Sequence, residues 1–556
     1  MHPTLDFRPG PIAAAIEADR AAAVRATTGL FARDASVWSA DASVQHKIND
    51  RLGWLSSPDL MAKSCDRLLA FADGVRRDGF TDVVLLGMGG SSLAPEVLRA
   101  IVGAAAGAPR FHVLDSTDPA AVVAASTDPK HSLYIVASKS GTTIEPNSMA
   151  AYFRKRLEDA QVPSWASHFV AITDEGTELA ARARADKYRD LFINPSDIGG
   201  RYSALSFFGM VPAALMGQNI RAIVASGQAM LAAAQQPSGD VSSNPAAMLG
   251  LALGASSKAG RDKLTLIVPP RLEPFGLWIE QLIAESTGKH GKGVVPIAGE
   301  PLTAAYGDDR IFVRISAPGA SAPDIAAHET APVASIALDA AEDLGAEFVR
   351  WEIATAVAGA LLDINPFDEP NVQQAKDATR KILDEFIKTG SLPSVQGTQV
   401  GGVTLNLSTA ARHALGGSGE KSFLKLLAPG DYLGLLAYVG PDPSLADALR
   451  TFRAAVLNRT SAATMFGYGP RYLHSTGQLH KGGPNTGVFV LVSASPDHDI
   501  RIPSQPFSFG TLELAQALGD FASLDASRRR ALHIHLPSPD ASMLTHVFDA
   551  LLKALP

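Results

Sequence analysis

Two loops rich in glycine and hydroxyl residues could bind a phosphate group. The runs GMGGSS (residues 87–92) and SKSGTT (residues 138–143) each follow a short apolar stretch and precede a predicted helix. Backbone N–H groups, hydroxyls and the helix dipole attract a phosphate there, and one lysine adds positive charge. The second loop predicts phosphate binding because capping a helix needs one hydroxyl and not four. For the first loop a tight turn remains an alternative, and Ser92 in place of the third glycine of G-x-G-x-x-G disfavours a dinucleotide.

Two further segments offer charged groups. In NPSDIGGRYS (residues 194–203), two glycines let the backbone come close to a neighbouring group. Arg201 could extend its own positive charge into a crevice at the strand ends. A surface ion pair is the alternative for Arg201. In QLIAESTGK (residues 281–289), Gln281 and Glu285 are four residues apart and so share one helix face. A lone glutamate is usually a solvated charge, so Glu285 becomes a candidate base only together with the loops above.

The elements that would position these residues form an α/β pattern. Short apolar runs alternate with polar loops and amphipathic stretches, as in parallel sheets wrapped in helices. We predict a helical arm over residues 1–80, a first domain over 81–235, a second over 245–390 and a C-terminal α/β module over 400–556. A polar stretch at 233–245 is interpreted as a link, and a Gly-rich stretch at 392–404 precedes the C-terminal module. The predicted strands are 83–86, 112–114, 134–137, 170–172, 191–193, 264–268, 311–315, 334–338, 432–439, 465–468, 488–492 and 532–536. In the second domain we predict helices at 274–286, 341–363 and 372–388.

Length, composition and charge limit the classes of protein to which the chain can belong. The chain has 556 residues, 46% of them hydrophobic and 19% charged, which is enough for roughly two to four domains. A formal net charge of -7 argues against nucleic-acid binding. The single cysteine, Cys65, cannot form an internal disulfide, which favours a reducing compartment. We find no signal peptide and no apolar run of about 18 residues, so we predict a cytoplasmic protein without a membrane span.

Five motifs together resemble a known family. GMGGSSLAPE, SKSGTT, NPSDIGGRYS, QLIAESTGK and NPFDEPNVQQAK (residues 365–376) follow the order of the signatures of the phosphoglucose isomerase family. The chain also resembles the isomerase part of transaldolase/phosphoglucose isomerase fusions, although residues 1–80 are too short for a transaldolase domain and predict no such activity. The resemblance implies two doubly wound sugar-isomerase (SIS) domains with the active site between them. It also implies interconversion of glucose 6-phosphate and fructose 6-phosphate in carbohydrate metabolism, without a metal or organic cofactor, and a possible homodimer.

The resemblance also implies roles for individual residues. Arg201 would flank the reacting carbons, Glu285 would move the proton through a cis-enediol, and Lys376 would assist at the ring oxygen. Gly200 and Gln281 would contact the substrate. The phosphate would be bound by Gly90, Ser91, Ser138, Lys139, Ser140, Thr142 and Thr143.

The chain departs from the family pattern at the ring-opening histidine. The family has it between the glutamate and lysine motifs, where this chain offers only His290 and His328, neither in a matching context. The segment LHSTGQLHKG (residues 473–482) is similar to the family's histidine segment, so we predict that His474 opens the ring. His290 is the alternative, and His480 is predicted to be a supporting or surface residue.

A second departure leaves one role open. Glu369 stands where many family members have glutamine, and we predict that it pairs with a lysine or arginine and not with the phosphate. Two other functions also remain open. A dual phosphoglucose/phosphomannose isomerase would share all these motifs, and a non-catalytic sugar-phosphate sensor would need the phosphate loops but not the proton-transfer groups.

Overall fold

The computed structural model describes residues 5–236, 240–303, 305–325, 331–395 and 397–555. Among them, none of the helices combines the length and apolar surface needed to span a lipid bilayer. The N-terminal segment begins with a strand and continues with three helices: β1 (Leu5–Arg8), α1 (Ala13–Ala32), α2 (Ala42–Asn49) and α3 (Ser57–Arg77).

The prediction of a purely helical arm is therefore wrong at its start. Leu5 and Phe7 alternate with Asp6 and Arg8, a pattern of period two that is only four residues long and is masked by the long helical periodicity after it. The strand joins the edge of the second sheet and not the first domain.

The first domain contains a five-stranded parallel sheet, as predicted. Its strands, in the spatial order β3-β2-β4-β5-β6, are β2 (Asp82–Gly87), β3 (Arg110–Leu114), β4 (Ser132–Ala137), β5 (Phe169–Asp174) and β6 (Asp190–Asn194). Strands β2 and β4 are buried along their whole length, which explains their unbroken apolar runs. The helices of this domain are α4 (Gly90–Ile101), α5 (Pro119–Ala124), α6 (Ile144–Asp159), α7 (Glu178–Asp186), α8 (Phe207–Leu215) and α9 (Ile220–Gln235).

The second sheet has the order β1-β10-β9-β7-β8 and is parallel except for β1, which runs antiparallel to β10. The elements of this part are α10 (Pro245–Lys258), β7 (Lys263–Ile267), α11 (Glu273–Thr287), β8 (Val295–Ile297), β9 (Arg310–Ser316), β10 (Val333–Ala337), α12 (Leu344–Leu361) and α13 (Val372–Thr389). The three predicted strands and three predicted helices are all present. Strand β8 was not predicted, because its three residues include a proline.

The C-terminal module contains a six-stranded mixed sheet in the order β11-β12-β16-β15-β13-β14. Its elements are β11 (Thr398–Val400), β12 (Val403–Leu407), α14 (Thr409–Leu415), β13 (Tyr432–Tyr438), α15 (Pro443–Thr460), β14 (Ala463–Tyr468), α16 (Gly477–Gly482), β15 (Gly487–Ala494), α17 (Phe509–Ala526), β16 (Arg530–Leu536) and α18 (Ala541–Leu552). Strands β11 and β12 form a hairpin at the Gly-rich stretch 392–404, which was not predicted. Gly401 and Gly402 both have positive φ, as a two-residue hairpin turn requires.

The three parts pack directly on one another. Helix α13 lies along α17 of the C-terminal module. One hydrophobic cluster joins residues of the first sheet with Leu383 of α13 and with Phe509 and Leu512 of α17. The C-terminal module is thereby held beside the loops that follow the first sheet's strands, where the candidate site lies.

Candidate active site

The loops after β2, β4 and β6 open into one cavity of about 570 Å³. Helix α11, helix α13 and the turn before α16 complete its wall. The cavity gathers twelve of the thirteen residues predicted from the sequence: Gly90, Ser91, Ser138, Lys139, Ser140, Thr143, Gly200, Arg201, Gln281, Glu285, Lys376 and His474. The thirteenth, Thr142, lines an adjoining cavity of about 200 Å³ that shares Thr143, Lys376 and His474 with the first.

Close backbone packing explains two glycines of the first loop. A Cβ atom on Gly90 would lie 1.9 Å from the carbonyl oxygen of Gly200, so the loops after β2 and β6 touch through their backbones. Gly89 has a φ of +56°, and a Cβ there would lie 2.6 Å from the carbonyl oxygen of His474. These positions admit no side chain without a shift of the backbone.

The second loop presents hydroxyls in pairs. The Ser138 and Thr143 hydroxyls lie 2.9 Å apart, and those of Ser140 and Thr142 lie 3.1 Å apart. The Lys139 ammonium forms an ion pair with Asp174 and donates a hydrogen bond to a backbone carbonyl in the loop after β6. Because a carboxylate offsets the charge of Lys139, most of the donors left for an anion on this side of the cavity are neutral.

Arg201 is the electrostatic centre of the site, and its side chain is 2% exposed. Its Nη1 lies 3.2 Å from Glu285 and 3.1 Å from Glu369, and its Nε donates to the hydroxyl of Ser286 at 2.7 Å. Burial alone would lower the pKa of Arg201, but the two carboxylates raise it above its ordinary value. The guanidinium therefore stays charged and fixed between the first two domains.

Glu285 lies at the end of α11 and faces the cavity. Burial raises its pKa above the ordinary value, Arg201 acts in the opposite direction, and the negative charge of Glu369 raises it further. Gln281, one turn earlier, donates from the same nitrogen to Glu285 at 3.2 Å and to the carbonyl oxygen of His474 at 2.8 Å. A carboxylate with a raised pKa is better matched to general base catalysis near neutral pH.

His474 enters the cavity from the C-terminal module, in the turn before α16. Its Nε2 lies 2.9 Å from a carboxylate oxygen of Glu145, in the first turn of α6. Burial would raise the pKa of Glu145, but the charge of His474 and, more weakly, that of Lys376 lower it below its ordinary value. Sequence reasoning missed Glu145, although it directly follows the hydroxyl loop and is the only acidic residue in that helix's first turn.

Neither His290 nor His480 lies on the wall of the cavity. His290 is exposed and is not among the residues of this chain that line the cavity. His328 lies outside the described residues. His480 is buried with Nε2 against the sulfur of Met465, and burial lowers its pKa well below the usual range. It is a core residue, so the prediction of a surface position is wrong.

Glu369 and Lys376 extend from the segment that begins with NPFDEP. Glu369 pairs with Arg201, which confirms its predicted arginine or lysine partner. Lys376 is exposed on α13 and borders the cavity. The role of Lys289 was not predicted from the sequence: its ammonium donates to the carbonyl oxygen of Asn365 and pairs with Asp368, both at 2.7 Å. Burial lowers the pKa of Lys289 to about 8.

Comparison with known proteins gives matches over the part of the chain that contains these loops. A profile of the phosphoglucose isomerase family matches residues 61–298. A glucose-6-phosphate isomerase of Trichormus variabilis is 30% identical over 259 residues, which cover 42% of this chain and 48% of that protein. One of Parasynechococcus marenigrum is 31% identical over 353 residues, covering 55% and 63%. This chain thus spans about half the length of the first relative and under two thirds of the second.

One solved structure shows a similar fold. A hypothetical protein of Thermus thermophilus is 22% identical to this chain and superposes with a TM-score of 0.54. The match covers 68% of this chain and 99% of the other.

Proposed function

We propose that the chain interconverts glucose 6-phosphate and fructose 6-phosphate, since residues 61–298 match the profile of the phosphoglucose isomerase family. The observation that carries the proposal is the placement of Glu285 and His474 on one cavity, joined through the amide of Gln281. A sugar-phosphate sensor would need the hydroxyl loops but would have no use for a buried base and a second proton-transfer group facing the same space.

The proposed reaction begins with capture of the phosphate by the loops after β2 and β4. The hydroxyls of Ser91, Ser138 and Thr143 supply neutral donors, and the N-terminus of α6 adds its dipole. Phosphate binding at these loops orients the sugar so that its reacting end extends toward α11 and the C-terminal module.

Ring opening is assigned to His474 and Lys376. Glu145 accepts the hydrogen bond of His474 Nε2, so Nδ1 is the nitrogen left to exchange a proton with the sugar. Lys376 lines the same cavity and would interact with the ring oxygen. The histidine thus acts as acid and base, with Glu145 holding it in one orientation.

Proton transfer between the two carbons is assigned to Glu285. The carboxylate removes the proton next to the carbonyl, giving a cis-enediol, and returns it to the neighbouring carbon. Arg201, already 3.2 Å from Glu285, stabilises the negative charge that develops on the oxygen. Because the guanidinium is fixed before the substrate arrives, it needs little reorganisation during the reaction.

A test compares pairs of matched variants in both directions of the reaction, with mannose 6-phosphate as an additional substrate. Glu285→Gln should lower kcat by about 10²- to 10⁴-fold. Glu280→Gln, on the same helix, should have little effect, because burial raises the pKa of Glu280 to about 8 and it is already largely uncharged at neutral pH.

For the histidine, the matched pair is His474→Ala and His290→Ala. We expect the first to impair turnover of the cyclic sugar while open-chain analogues still react, and the second to behave like the wild type. A wild type that binds these phosphate esters without turnover would contradict the proposal and favour the sensor.

A further inference from the structure

Helix α17 of the C-terminal module reaches the candidate site through Gln516, a residue that is 2% exposed. Its Nε2 donates to Oε1 of Glu145 at 2.7 Å, and its Oε1 accepts from the hydroxyl of Thr117 at 2.7 Å. Both ends of the amide are therefore used. Because the ionised carboxylate of Glu145 can only accept, the amide nitrogen must point toward it, and the amide oxygen is left to accept from the Thr117 hydroxyl.

The oxygen of Glu145 that accepts from Gln516 also faces His474 Nε2, at 2.9 Å. Thr117, Gln516, Glu145 and His474 thus form one continuous chain of hydrogen bonds. Thr117 follows β3 of the first domain, whereas Gln516 and His474 belong to the C-terminal module. The chain links the two parts at the residue assigned to ring opening.

We propose that Gln516 is a positioning residue that holds Glu145 against Nε2 of His474 and so directs Nδ1 of the histidine toward the sugar. This inference rests on the proposed function. A carboxylate side chain has several rotatable bonds, and Glu145 also lies within the field of the Lys376 ammonium. With Gln516 in place, rotation of the carboxylate toward Lys376 would break a hydrogen bond inside the protein, which is costly for a buried group.

The proposal predicts that loss of Gln516 impairs ring opening but leaves phosphate binding intact. Gln516 lines the adjoining cavity of about 200 Å³ but not the main one, and it contacts none of the hydroxyls of the loop at 138–143 in the hydrogen bonds described. Its loss should therefore change kcat and leave KM nearly unchanged. Displacement of a catalytic group by about 1 Å is enough to reduce a rate by up to about 100-fold.

The experiment compares Gln516→Met with Ser523→Ala. Methionine keeps the length of glutamine but has no N–H donor. Ser523 lies on the same helix, is also 2% exposed, and donates only to the carbonyl oxygen of Gly519, so it controls for disturbance of α17. Gln516→Glu is a second probe, because it keeps an acceptor for Thr117 but replaces the donor with a carboxylate facing Glu145.

Three quantities are measured for each variant. The first is exchange between the α and β anomers of glucose 6-phosphate, followed by NMR, which reports ring opening alone. The second is isomerisation, as kcat and KM. The third is the ¹⁵N spectrum of the imidazole of His474, identified by its loss in His474→Ala, which reports which ring nitrogen holds the proton without any need for turnover.

We expect Gln516→Met to slow anomer exchange by about 10- to 100-fold, with KM within about twofold of the wild type and with altered ¹⁵N shifts of His474. Gln516→Glu should lose more, and Ser523→Ala should match the wild type. Anomer exchange in Gln516→Met equal to that of Ser523→Ala would overturn the inference. If the wild type isomerises no hexose phosphate, the proposed function fails, and unchanged ¹⁵N shifts in Gln516→Met would then overturn the positioning role as well.

Discussion

Replacing Glu369 with glutamine should lower the pH at which Glu285 becomes an active base. Both carboxylates contact Nη1 of Arg201, and the charge of Glu369 raises the pKa of Glu285. Glutamine at this position removes that charge and leaves Arg201 with Glu285 as its remaining carboxylate partner at Nη1. Both changes favour the ionised form of Glu285, so they act in the same direction.

The size of the effect follows from the geometry. The two carboxylate oxygens lie 3.2 and 3.1 Å from one nitrogen, so they are at most about 6 Å apart. At this distance two unit charges repel by about 1.4 kcal/mol if the effective dielectric constant is about 40. A value between those of water and a buried pair is appropriate because Glu369 is 41% exposed. This free energy corresponds to about one pKa unit.

The assay is kcat/KM for fructose 6-phosphate as a function of pH, which reports the ionisation of the free enzyme. Glu285 must be ionised to accept a proton, so activity falls as pH drops through its pKa. In Glu369→Gln this acidic limb should move down by about one pH unit. Ionisation of the substrate phosphate contributes equally to every variant and therefore cancels in the comparison.

The control is Asp363→Asn, which removes a carboxylate that is 88% exposed and pairs with Lys292 on the surface. It changes the net charge by the same amount as Glu369→Gln and should leave the acidic limb in place. An unchanged or higher acidic limb in Glu369→Gln would refute the argument that Glu369 raises the pKa of Glu285.

Three further outcomes are expected. Gly90→Ala should lower the free energy of unfolding by about 1–3 kcal/mol in urea titrations, since the new Cβ would meet the carbonyl oxygen of Gly200; wild-type stability would contradict this. Burial raises the pKa of Glu352 well above its ordinary value, so the wild type should lose stability as pH rises above about 4. Urea titrations should show Glu352→Gln more stable at roughly pH 8 and nearly equal to the wild type at about pH 4, and an equal difference at both would be inconsistent with this. Specific activity should be constant on dilution, because Glu285, Lys376 and His474 of the same chain line one cavity; a loss at low concentration would implicate a partner chain.

The sequence predicted the parallel strands well because burial on both faces leaves an unbroken apolar run. The same reasoning missed β8, which has only three residues and contains Pro296, and it missed the hairpin that turns at Gly401-Gly402. The neighbour against which α13 packs also could not be predicted from the sequence. An amphipathic pattern shows that one helix face is covered but not which neighbour covers it, and here the neighbour is α17, more than a hundred residues later.

The same distinction between local patterns and long-range contacts applies to the candidate site. The phosphate loops, Arg201 and Glu285 were found because each stands in a contiguous motif whose local structure can be inferred. The contacts of Glu145 were not, because they join it to His474, 329 positions later, and to Gln516, 371 positions later. No local pattern marks Gln516, which sits among the apolar residues of a buried helix.

Strand β1 has a consequence for the solubility of the protein. It pairs along β10 through four consecutive residues, from Leu5 opposite Ile336 to Arg8 opposite Val333. Without it, β10 would present a free row of N–H and C=O groups, the kind of surface on which strands of other molecules pair. Strand β1 is now the edge of the sheet, but it is only four residues long and carries Asp6 and Arg8, and short edge strands with charged side chains resist such pairing.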